Sequence, residues 1–423
     1  MSKKLISIFL FLLLIFSGID SMAKQRFPKP EFEKKYTVPD TQIPASRALW
    51  LEYFDVFMLV ICLSVVTWFV LKKRSRLGVL SVSVFSIIYF GFYRKGCVCA
   101  VGSMQNITLG LFNTEYHIPL TVIAFFIIPL LFTLFFGRTF CAGVCPLGAI
   151  QDIVALRSIS LKKWVQAMLG LIPFVYLGLA ILYAATSTDF VICRYDPFIG
   201  IYRLNASFLM FSIGAILLLM GIFIARPYCR FLCPYGVLLN WVSRISKKHL
   251  TITPAECIDC RLCEDSCPFG AIQIPTPEKI RENRFITVKR LMFFCIVIPL
   301  LIFLGGWTGS RFYENLSMVN LKVRLANELL MSKNEANESQ SIEITTFKSQ
   351  GKPEEKLYSE ASVIVKQFYS GGWILGGFIG LVFGLTLAQL TFVHYQKGYT
   401  PNKGTCLSCG RCMDYCPVKK GEK

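Results

Sequence analysis

The stretch CIDCRLCEDSCPFGAI, residues 257–272, decides how the water-exposed part of this chain folds. Its cysteines follow the spacing C-x₂-C-x₂-C-x₃-C-P, and CLSCGRCMDYCPV, residues 406–418, repeats that spacing. Three closely spaced thiolates followed by a Cys-Pro are typical of [4Fe-4S] binding, in which the fourth cysteine reaches a neighbouring cluster. Structural zinc usually takes two separated cysteine pairs, so a zinc site fits this spacing poorly.

The two stretches, called here the first tract (257–268) and the second tract (406–417), predict two [4Fe-4S] clusters with crossed ligands. One cluster takes Cys257, Cys260, Cys263 and Cys416, and the other takes Cys406, Cys409, Cys412 and Cys267. Because each tract supplies a ligand to the other's cluster, neither half should be stable alone. We therefore expect one small α+β, bacterial-ferredoxin-like domain assembled from residues 249–288 and 396–423.

Outside the tracts the composition is that of a membrane protein. Apolar residues make up 54% of the chain and the mean hydropathy is +0.53, values far above those of soluble proteins. Seven apolar stretches are long enough to cross a hydrocarbon core of about 30 Å. They cover approximately residues 50–71, 77–93, 118–136, 165–185, 204–225, 291–307 and 372–394. The predicted fold class is an all-α polytopic membrane protein with about seven transmembrane helices.

The ends of the apolar stretches predict the topology. Residues 1–23 have the basic start, apolar run and small residues of a signal peptide, with an uncleaved anchor as the alternative, and residues 24–49 then form a short periplasmic segment. The basic loop 72–76 marks the cytoplasmic side,. Because successive spans cross the membrane in opposite directions, both tracts and the C-terminus are predicted to lie in the cytoplasm. By the same count, residues 309–371 form a periplasmic insert that is helical or partly disordered. The last two spans are assigned to residues 289–308 and 372–395.

The charge balance agrees with this topology. The chain has 45 Lys and Arg against 26 Asp and Glu, a net charge of +19. These basic residues gather at the ends of apolar stretches, which is the positive-inside pattern rather than a nucleic-acid-binding stripe. No Cys-x-x-Cys-His motif occurs, which excludes covalent c-type haem. The prediction is a multi-pass protein of the bacterial inner membrane that does not bind nucleic acid.

The transmembrane core, residues 50–248, contains an internal repeat. GRTFCAGVCPLGAIQD (137–152) and ARPYCRFLCPYGVLLN (225–240) share an arginine, an aromatic residue, Cys-x₃-Cys-Pro and a glycine in register. On a helix both thiols of Cys-x₃-Cys lie on one face. Cys141, Cys145, Cys229 and Cys233 therefore predict an additional metal centre at the inner membrane edge. Reduced structural cysteines at helix ends are the alternative.

Further cysteines lie outside these motifs. Cys97 and Cys99, in GCVCAVGSMQNI, and Cys193, in VICRYDPF, fall on the predicted outer side. Three interpretations stay open for them: a second metal centre, a disulfide formed in an oxidising compartment, and packing. Cys62 and Cys295 stand alone within apolar stretches and are predicted to be packing residues.

From about residue 77 to 418 the combination of membrane spans, twin Cys-x₃-Cys-Pro motifs and two C-x₂-C-x₂-C-x₃-C-P tracts resembles the NosR/NapH-type membrane-bound 4Fe-4S ferredoxins. The resemblance implies a non-catalytic electron-transfer subunit of anaerobic respiration. It would pass electrons across the inner membrane between a cytoplasmic or quinone-pool donor and a periplasmic reductase or flavoprotein. A redox-sensing regulator, or a maturation factor for a periplasmic metalloenzyme, is the alternative.

The resemblance also bears on cofactors. NosR proper carries a periplasmic flavin-binding region, whose place here is taken by residues 24–46, so a flavin would come from a separate protein. A direct electron jump across about 30 Å of hydrocarbon would be too slow. We therefore expect an intermediate centre, a quinone or a flavin between the two membrane faces.

Overall fold

The computed structural model describes residues 47–96, 99–155, 159, 161–252, 257–276, 284–334, 342–349, 351, 353–392 and 398–417. The signal-peptide prediction, the segment 24–46 and Cys97 lie outside the described residues. From Ala48 onward the chain forms one compact, mainly helical unit.

The first part of this unit contains twelve described helices. They are α1 (Leu49–Trp68), α2 (Arg76–Ser86), α3 (Ala100–Phe112), α4 (Leu120–Phe136), α5 (Pro146–Val154), α6 (Lys163–Leu169), α7 (Ile172–Ala185), α8 (Val191–Tyr195), α9 (Pro197–Arg203), α10 (Phe208–Phe223), α11 (Pro227–Phe231) and α12 (Pro234–Arg244). π-Helical turns at Phe69–Lys73 and Ile87–Tyr93 extend α1 and α2, and a third at Phe140–Val144 leads into α5.

The remainder contains seven further described helices and two short strands. They are α13 (Leu262–Asp265), β1 (Ile272–Gln273), α14 (Arg284–Arg311), α15 (Tyr313–Ser317), α16 (Leu321–Asn334), α17 (Ile342–Ser349), α18 (Glu354–Thr391), β2 (Thr400–Pro401) and α19 (Arg411–Asp414).

Five helical segments in the described part of the chain are long and apolar enough to span a membrane. They are Leu49–Lys73, Arg76–Tyr93, Trp164–Ala185, Phe285–Arg311 and Glu354–Thr391. Each coincides with one of the seven predicted spans, so the polytopic membrane character agrees with the sequence. The count of seven stays a prediction, because the structure treats the other two stretches differently.

The two exceptions have local causes. Helix α4 has 17 residues and is shorter than the five candidate spans. Helix α10 qualifies only together with α9, and the two are bent by 111°. At this bend Leu204 adopts a left-handed conformation, and the Ser207 hydroxyl caps the new helix by accepting the Met210 N–H at 3.3 Å,. The predicted stretch 204–225 therefore corresponds to α10, which begins after a sharp bend rather than continuing straight from α9.

Helices α14 and α18 form a hairpin whose backbones touch along a seam of glycines. A Cβ atom on Gly376 would lie 2.0 Å from the Gly305 carbonyl oxygen, and one on Gly309 would lie 2.3 Å from that of Gly372. Small residues at four-residue spacing allow this close approach between membrane helices. The seam fixes the two spans that separate the first tract from the second.

The predicted insert, residues 309–371, is helical where it is described. Its helices α15 and α16 pack on the first half of α18, which begins before the predicted span, and α17 packs on α16. With 38 residues, α18 is about 57 Å long, so its N-terminal half extends past a bilayer. Helix α16 carries Leu321, Leu325 and Leu329 at helical spacing, with Leu329 fully buried. The exposed ion pairs Lys322–Glu360 (2.6 Å) and Arg324–Glu343 (2.8 Å) join these helices.

Candidate metal centres

The two tracts meet in one small domain. Strand β1, which follows the first tract, pairs antiparallel with β2, which precedes the second, with Ile272 opposite Pro401. The Asn402 N–H donates to the Ala271 carbonyl at 2.8 Å. Helix α13 of the first tract packs against α19 of the second. The two segments thus assemble as the sequence predicted, although a membrane hairpin separates them in the chain.

Within this domain Cys267 lies near the cysteines of the second tract. Cys406 and Cys412 both lie within electrostatic range of Cys267, whereas Cys263 interacts with Cys257 and Cys260. The Cys267 Sγ also accepts the Ala271 N–H at 3.4 Å. The crossed arrangement requires Cys267 in this position, because that cysteine has to reach the cluster of the second tract. Ligation by Cys416 stays a prediction.

The two tracts differ in exposure. Cys257 and Cys260 are exposed, whereas Cys406, Cys409 and Cys412 are only 7–8% exposed. Burial raises the pKa of the Cys406 thiol to about 12. At neutral pH such a thiol loses its proton to a bound metal rather than to water.

The four Cys-x₃-Cys-Pro cysteines also come together. Cys233 lies within electrostatic range of Cys141, Cys145 and Cys229. The repeat glycines face across the junction: a Cβ atom on Gly148 would lie 3.4 Å from Cys229 Sγ, and one on Gly236 would lie 3.5 Å from an Arg138 Nη atom. The two repeats therefore pack against each other with their thiols on the shared side.

The donor set suits iron–sulfur clusters better than a single ion. Among the described residues no three Cys, His or carboxylate side chains lie close enough to share one metal ion. Cluster thiolates bind separate irons, so they lie further apart than the ligands of one ion. Three buried donor atoms, Arg138 Nε, Arg226 Nε and Ser408 Oγ, have no hydrogen-bond partner in the described part of the chain. Donors of this kind are the ones that hydrogen-bond cluster sulfurs.

The structure places Cys99 near Cys193 and also near Cys145 of the first repeat, and the outer position of Cys99 and Cys193 stays a prediction. Cys99 lies within electrostatic range of both Cys145 and Cys193, and a Cβ atom on Gly102 would lie 3.0 Å from Cys193 Sγ. Cys99 and Cys145 are neighbours because α3 and α4, the helices that connect them, pack against each other. All described cysteines are free thiols. Whether the outer set holds a metal stays open, since Cys97 lies outside the described residues.

Asp196 belongs to the same region and was missed from the sequence. Helices α3, α5, α9 and α12 begin directly after Cys99, Cys145, Asp196 and Cys233, respectively. The Asp196 carboxylate is buried and accepts the Phe198 N–H at 2.9 Å and the Tyr228 hydroxyl. The sequence feature that could have indicated Asp196 is its Asp-Pro pair, which matches the Cys-Pro of the repeats. Of the two isolated cysteines, Cys62 is buried as predicted, whereas Cys295 is exposed on α14.

Charged residues of the repeats anchor the two-tract domain on the membrane core. Arg138 of the first repeat donates to the Gly404 carbonyl at 3.0 Å, just before the second tract. Arg230 of the second repeat donates to the carbonyls of Pro268 and Phe269, at 3.4 and 3.3 Å. Each repeat therefore holds one tract. A cavity of about 180 Å³ remains between them, lined by Cys229, Cys233, Arg138, Arg230, Phe269 and Leu407 among others.

A second anchor is the buried carboxylate of Asp152, which the sequence analysis also missed. It accepts hydrogen bonds from Arg76 and from Arg411 at 3.3 Å, and it forms an ion pair with Arg226 at 3.2 Å. Burial alone would raise the pKa of Asp152, but Arg226 and Arg76 hold it far below its usual range. Asp152 is therefore ionised at all physiological pH values. The two repeats differ in their last two residues, which are Gln-Asp in the first and Leu-Asn in the second. This unmatched aspartate is the sequence feature that could have indicated the role.

Two family models match the chain. One, described as a 4Fe-4S binding domain, matches residues 118–164 and 206–253, which contain the two Cys-x₃-Cys-Pro motifs. A second, with the same description, matches residues 250–273, which contain the first tract. No solved structure matches this chain.

Several curated proteins are similar to parts of the chain. YccM of Escherichia coli, named as a candidate electron transport protein, is 27% identical over 48% of this chain and 65% of its own length. NirI of Paracoccus denitrificans is 28% identical over 48% of this chain and 32% of NirI. The regulatory protein NosR of Stutzerimonas stutzeri is 24% identical over 57% of this chain and 39% of NosR. The alignments thus span less than two thirds of each of these relatives.

Proposed function

Because the chain belongs to the NosR/NapH-type family of membrane-bound 4Fe-4S ferredoxins, we propose that it passes electrons across the bacterial inner membrane. The donor is a cytoplasmic carrier or the quinone pool. The acceptor is a periplasmic respiratory reductase or a separate flavoprotein. An iron–sulfur electron-transfer role is supported by the matched domains and relatives; the direction of flow and both partners are our proposal.

The proposed ligands are the cysteines of the tracts and of the repeats. The eight tract cysteines hold two [4Fe-4S] clusters with crossed ligands, and Cys141, Cys145, Cys229 and Cys233 hold a further centre. When bound, these centres supply one-electron oxidation and reduction. The protein's own residues supply thiolates, exclude water from the second tract and the repeats, and place arginine side chains around the sulfurs.

A single observation carries the proposal: the thiol sites are neighbours from the exposed tract into the membrane core. Cys412 lies within electrostatic range of Cys263, which links the two tracts. Arg226 lies within range of both Cys409 and Cys229, which links the second tract to the repeats. Cys145 in turn interacts with Cys99. With such spacing no transfer step has to cross the whole hydrocarbon core of about 30 Å.

The contacts of the basic loop support the proposed orientation. Arg74, in the basic loop after α1, donates to the Thr251 carbonyl at 2.7 Å, shortly before the first tract. The loop and the two-tract domain therefore lie on one side of the protein. Because Lys and Arg concentrate in cytoplasmic loops, this side is the cytoplasm, and electrons enter there.

The test uses protein reconstituted in liposomes with the tracts facing outward. Reduced ferredoxin is added outside, and reduction of an enclosed acceptor is followed optically. We expect reduction with the parent protein and its loss with Cys229→Ser. Cys295→Ser, at an isolated cysteine on α14, is the matched control and should leave the rate unchanged. Reducible clusters with no reduction of the enclosed acceptor would refute the conduit.

That last outcome would favour the second candidate function, a redox-sensing regulator or a maturation factor for a periplasmic metalloenzyme. Its support is the similarity to NosR, whose name describes a regulatory protein. The same cysteines would then report the redox state of the cell without sustained transfer. Reversible reduction of the clusters, with no change in the enclosed acceptor, is the result expected for this function.

A further inference from the structure

Asp152 is the centre of a buried charge network, defined here as Asp152, Arg76, Arg226 and Arg411. The carboxylate is 1% exposed and Arg226 is fully buried. The three arginines come from three parts of the fold: Arg76 begins α2, Arg226 precedes α11 and Arg411 begins α19. One carboxylate thus joins the membrane core, the second repeat and the second tract.

The network lies between two thiol sites. Arg76 donates through its other Nη atom to the carbonyl of Cys409 at 3.0 Å. Cys409 lies within electrostatic range of Arg76, Asp152 and Arg226. Arg226 also interacts with Cys229 of the second repeat, and its other contacts are the carbonyls of Cys141 and Ala142. Every charge of the network is therefore close to the cysteines of one or both sites.

We propose that the Asp152 network sets the reduction potential of the cluster held by the second tract, with Asp152 and Arg76 as positioning residues. The inference rests on the proposed function, because it requires a cluster at Cys406, Cys409 and Cys412. Reduction adds one electron to that centre, supplied by the electron-transfer activity, and no bond in the network is made or broken. Three arginines and one carboxylate leave an excess of positive charge beside the incoming electron.

The physical basis is the low polarity of the surroundings. Charges interact much more strongly in a buried site than in water. A nearby cation stabilises the reduced, more negative state and raises the potential, and a nearby anion lowers it. Asp152 therefore has two effects: it holds Arg76 against Cys409, and it offsets part of the arginine charge.

Two substitutions separate this role from simple packing. Arg76→Gln removes a cation, so the potential of the second-tract cluster should fall. Asp152→Asn removes an anion, while the amide oxygen still accepts from Arg76 and keeps it against Cys409, so the potential should rise. Both changes break the same Arg76–Asp152 ion pair, so a purely structural role would move the potential in one common direction. Opposite signs are the signature of electrostatic control.

The experiment is a redox titration followed by electron paramagnetic resonance on the full-length protein, purified anaerobically in detergent. Glu360→Gln, which breaks an exposed ion pair in the insert, is the matched control and should leave the potential unchanged. Arg76→Lys keeps the charge and should stay closer to the parent than Arg76→Gln, which also provides a readout if Asp152→Asn fails to fold.

The outcomes distinguish the inference from its premise. Opposite shifts for Arg76→Gln and Asp152→Asn, at full signal intensity, support the network's role. Shifts of the same sign, no shift, or an Arg76→Lys potential as low as that of Arg76→Gln would overturn it while leaving the proposed function intact. A parent protein that lacks the second-tract cluster signal would refute the proposed function itself, and this inference with it.

Discussion

The two tracts share one cysteine spacing and differ in exposure, although the third cysteine of each, Cys263 and Cys412, is buried. In the first tract Cys257 and Cys260 are exposed, next to Ile258 at 64% exposure. In the second tract the first three cysteines are buried, and Arg76 contacts the Cys409 backbone. The spacing predicts which residues bind metal, whereas in the proposed function the surroundings specify what each site can exchange electrons with. In the proposed path the first tract is accessible to a soluble partner, and the second faces the membrane core.

The strongest test of this comparison exchanges the crossed ligands. Cys267→Ser should remove the buried cluster, although Cys267 belongs to the exposed tract, and Cys416→Ser should remove the exposed one. Each variant should lose roughly four irons per chain relative to the parent protein, because each tract cluster contributes four. Iron analysis together with electron paramagnetic resonance on anaerobic protein measures both losses.

The crossed arrangement also specifies what would contradict it. If Cys267→Ser altered only the signal of the exposed cluster, each tract would bind its own four cysteines. Cys62→Ser, at a buried cysteine of α1 away from both tracts, is the control and should keep the full iron content. The proximity of Cys267 to Cys406 and Cys412 leads us to expect the crossed result.

A second test separates the tracts by disturbing the hairpin between them. Gly376→Val places a side chain where a Cβ atom would meet the Gly305 carbonyl oxygen at 2.0 Å. Overpacking of this kind typically costs about 1–3 kcal/mol, and here the backbone itself would have to move. We expect a lower thermal unfolding temperature and loss of both clusters together, because the halves no longer meet.

The neighbouring glycine provides a matched control for the hairpin. A Cβ atom on Gly377 would lie 3.5 Å from an Ile302 methyl group, which is an ordinary contact. Gly377→Ala should therefore keep the stability and the iron content of the parent. Equal effects of the two substitutions would show that the glycine seam does not determine how the tracts assemble.

Much of this arrangement could be predicted from the sequence, and the exceptions have physical reasons. Metal-ligand spacing is local, so the tract cysteines and the repeats were visible as motifs. The proximity of Cys99 to Cys145 was not, because it depends on how α3 and α4 pack together, which local sequence patterns do not specify. The role of Asp152 could not be predicted, because it depends on contacts with arginines that lie far from it in the sequence. The part of the site beyond the motifs thus depends on tertiary contacts between residues that are far apart in the sequence.

A third test weakens the anchor of the exposed tract alone. Arg230→Ala removes the donor to the Pro268 and Phe269 carbonyls, and a hydrogen bond to a charged group contributes about 1.5–3 kcal/mol. Hydrogen exchange should speed up in the first tract and stay unchanged in the second. Arg194→Ala, which breaks an exposed ion pair with Asp189, should change neither. Faster exchange in both tracts would mean that they open as one unit.

The smallest expected effect concerns acid and the buried tract. Burial lowers the pKa of His249 to about 4, with Lys403 and Arg138 adding to the shift, and neither ring nitrogen has a hydrogen-bond partner in the described part of the chain. Between about pH 6.5 and pH 4 the unfolded chain therefore binds a proton that the folded one does not. Stability is complete above this window and falls as the pH drops through it, by about 2 kcal/mol at pH 5.

The pH effect should be confined to the second tract. His249 lies near Lys403, which belongs to the segment just before that tract, and near Arg138, which donates a hydrogen bond to this segment. Hydrogen exchange at pH 5 and pH 7.5 should show acid loosening of residues 398–417, and His249→Phe should abolish it, whereas His117→Phe should not. If His249→Phe kept the full pH dependence, another group would be responsible. If the first tract loosened equally, the two tracts would share one docking equilibrium, and their different surroundings would not give them separate stabilities.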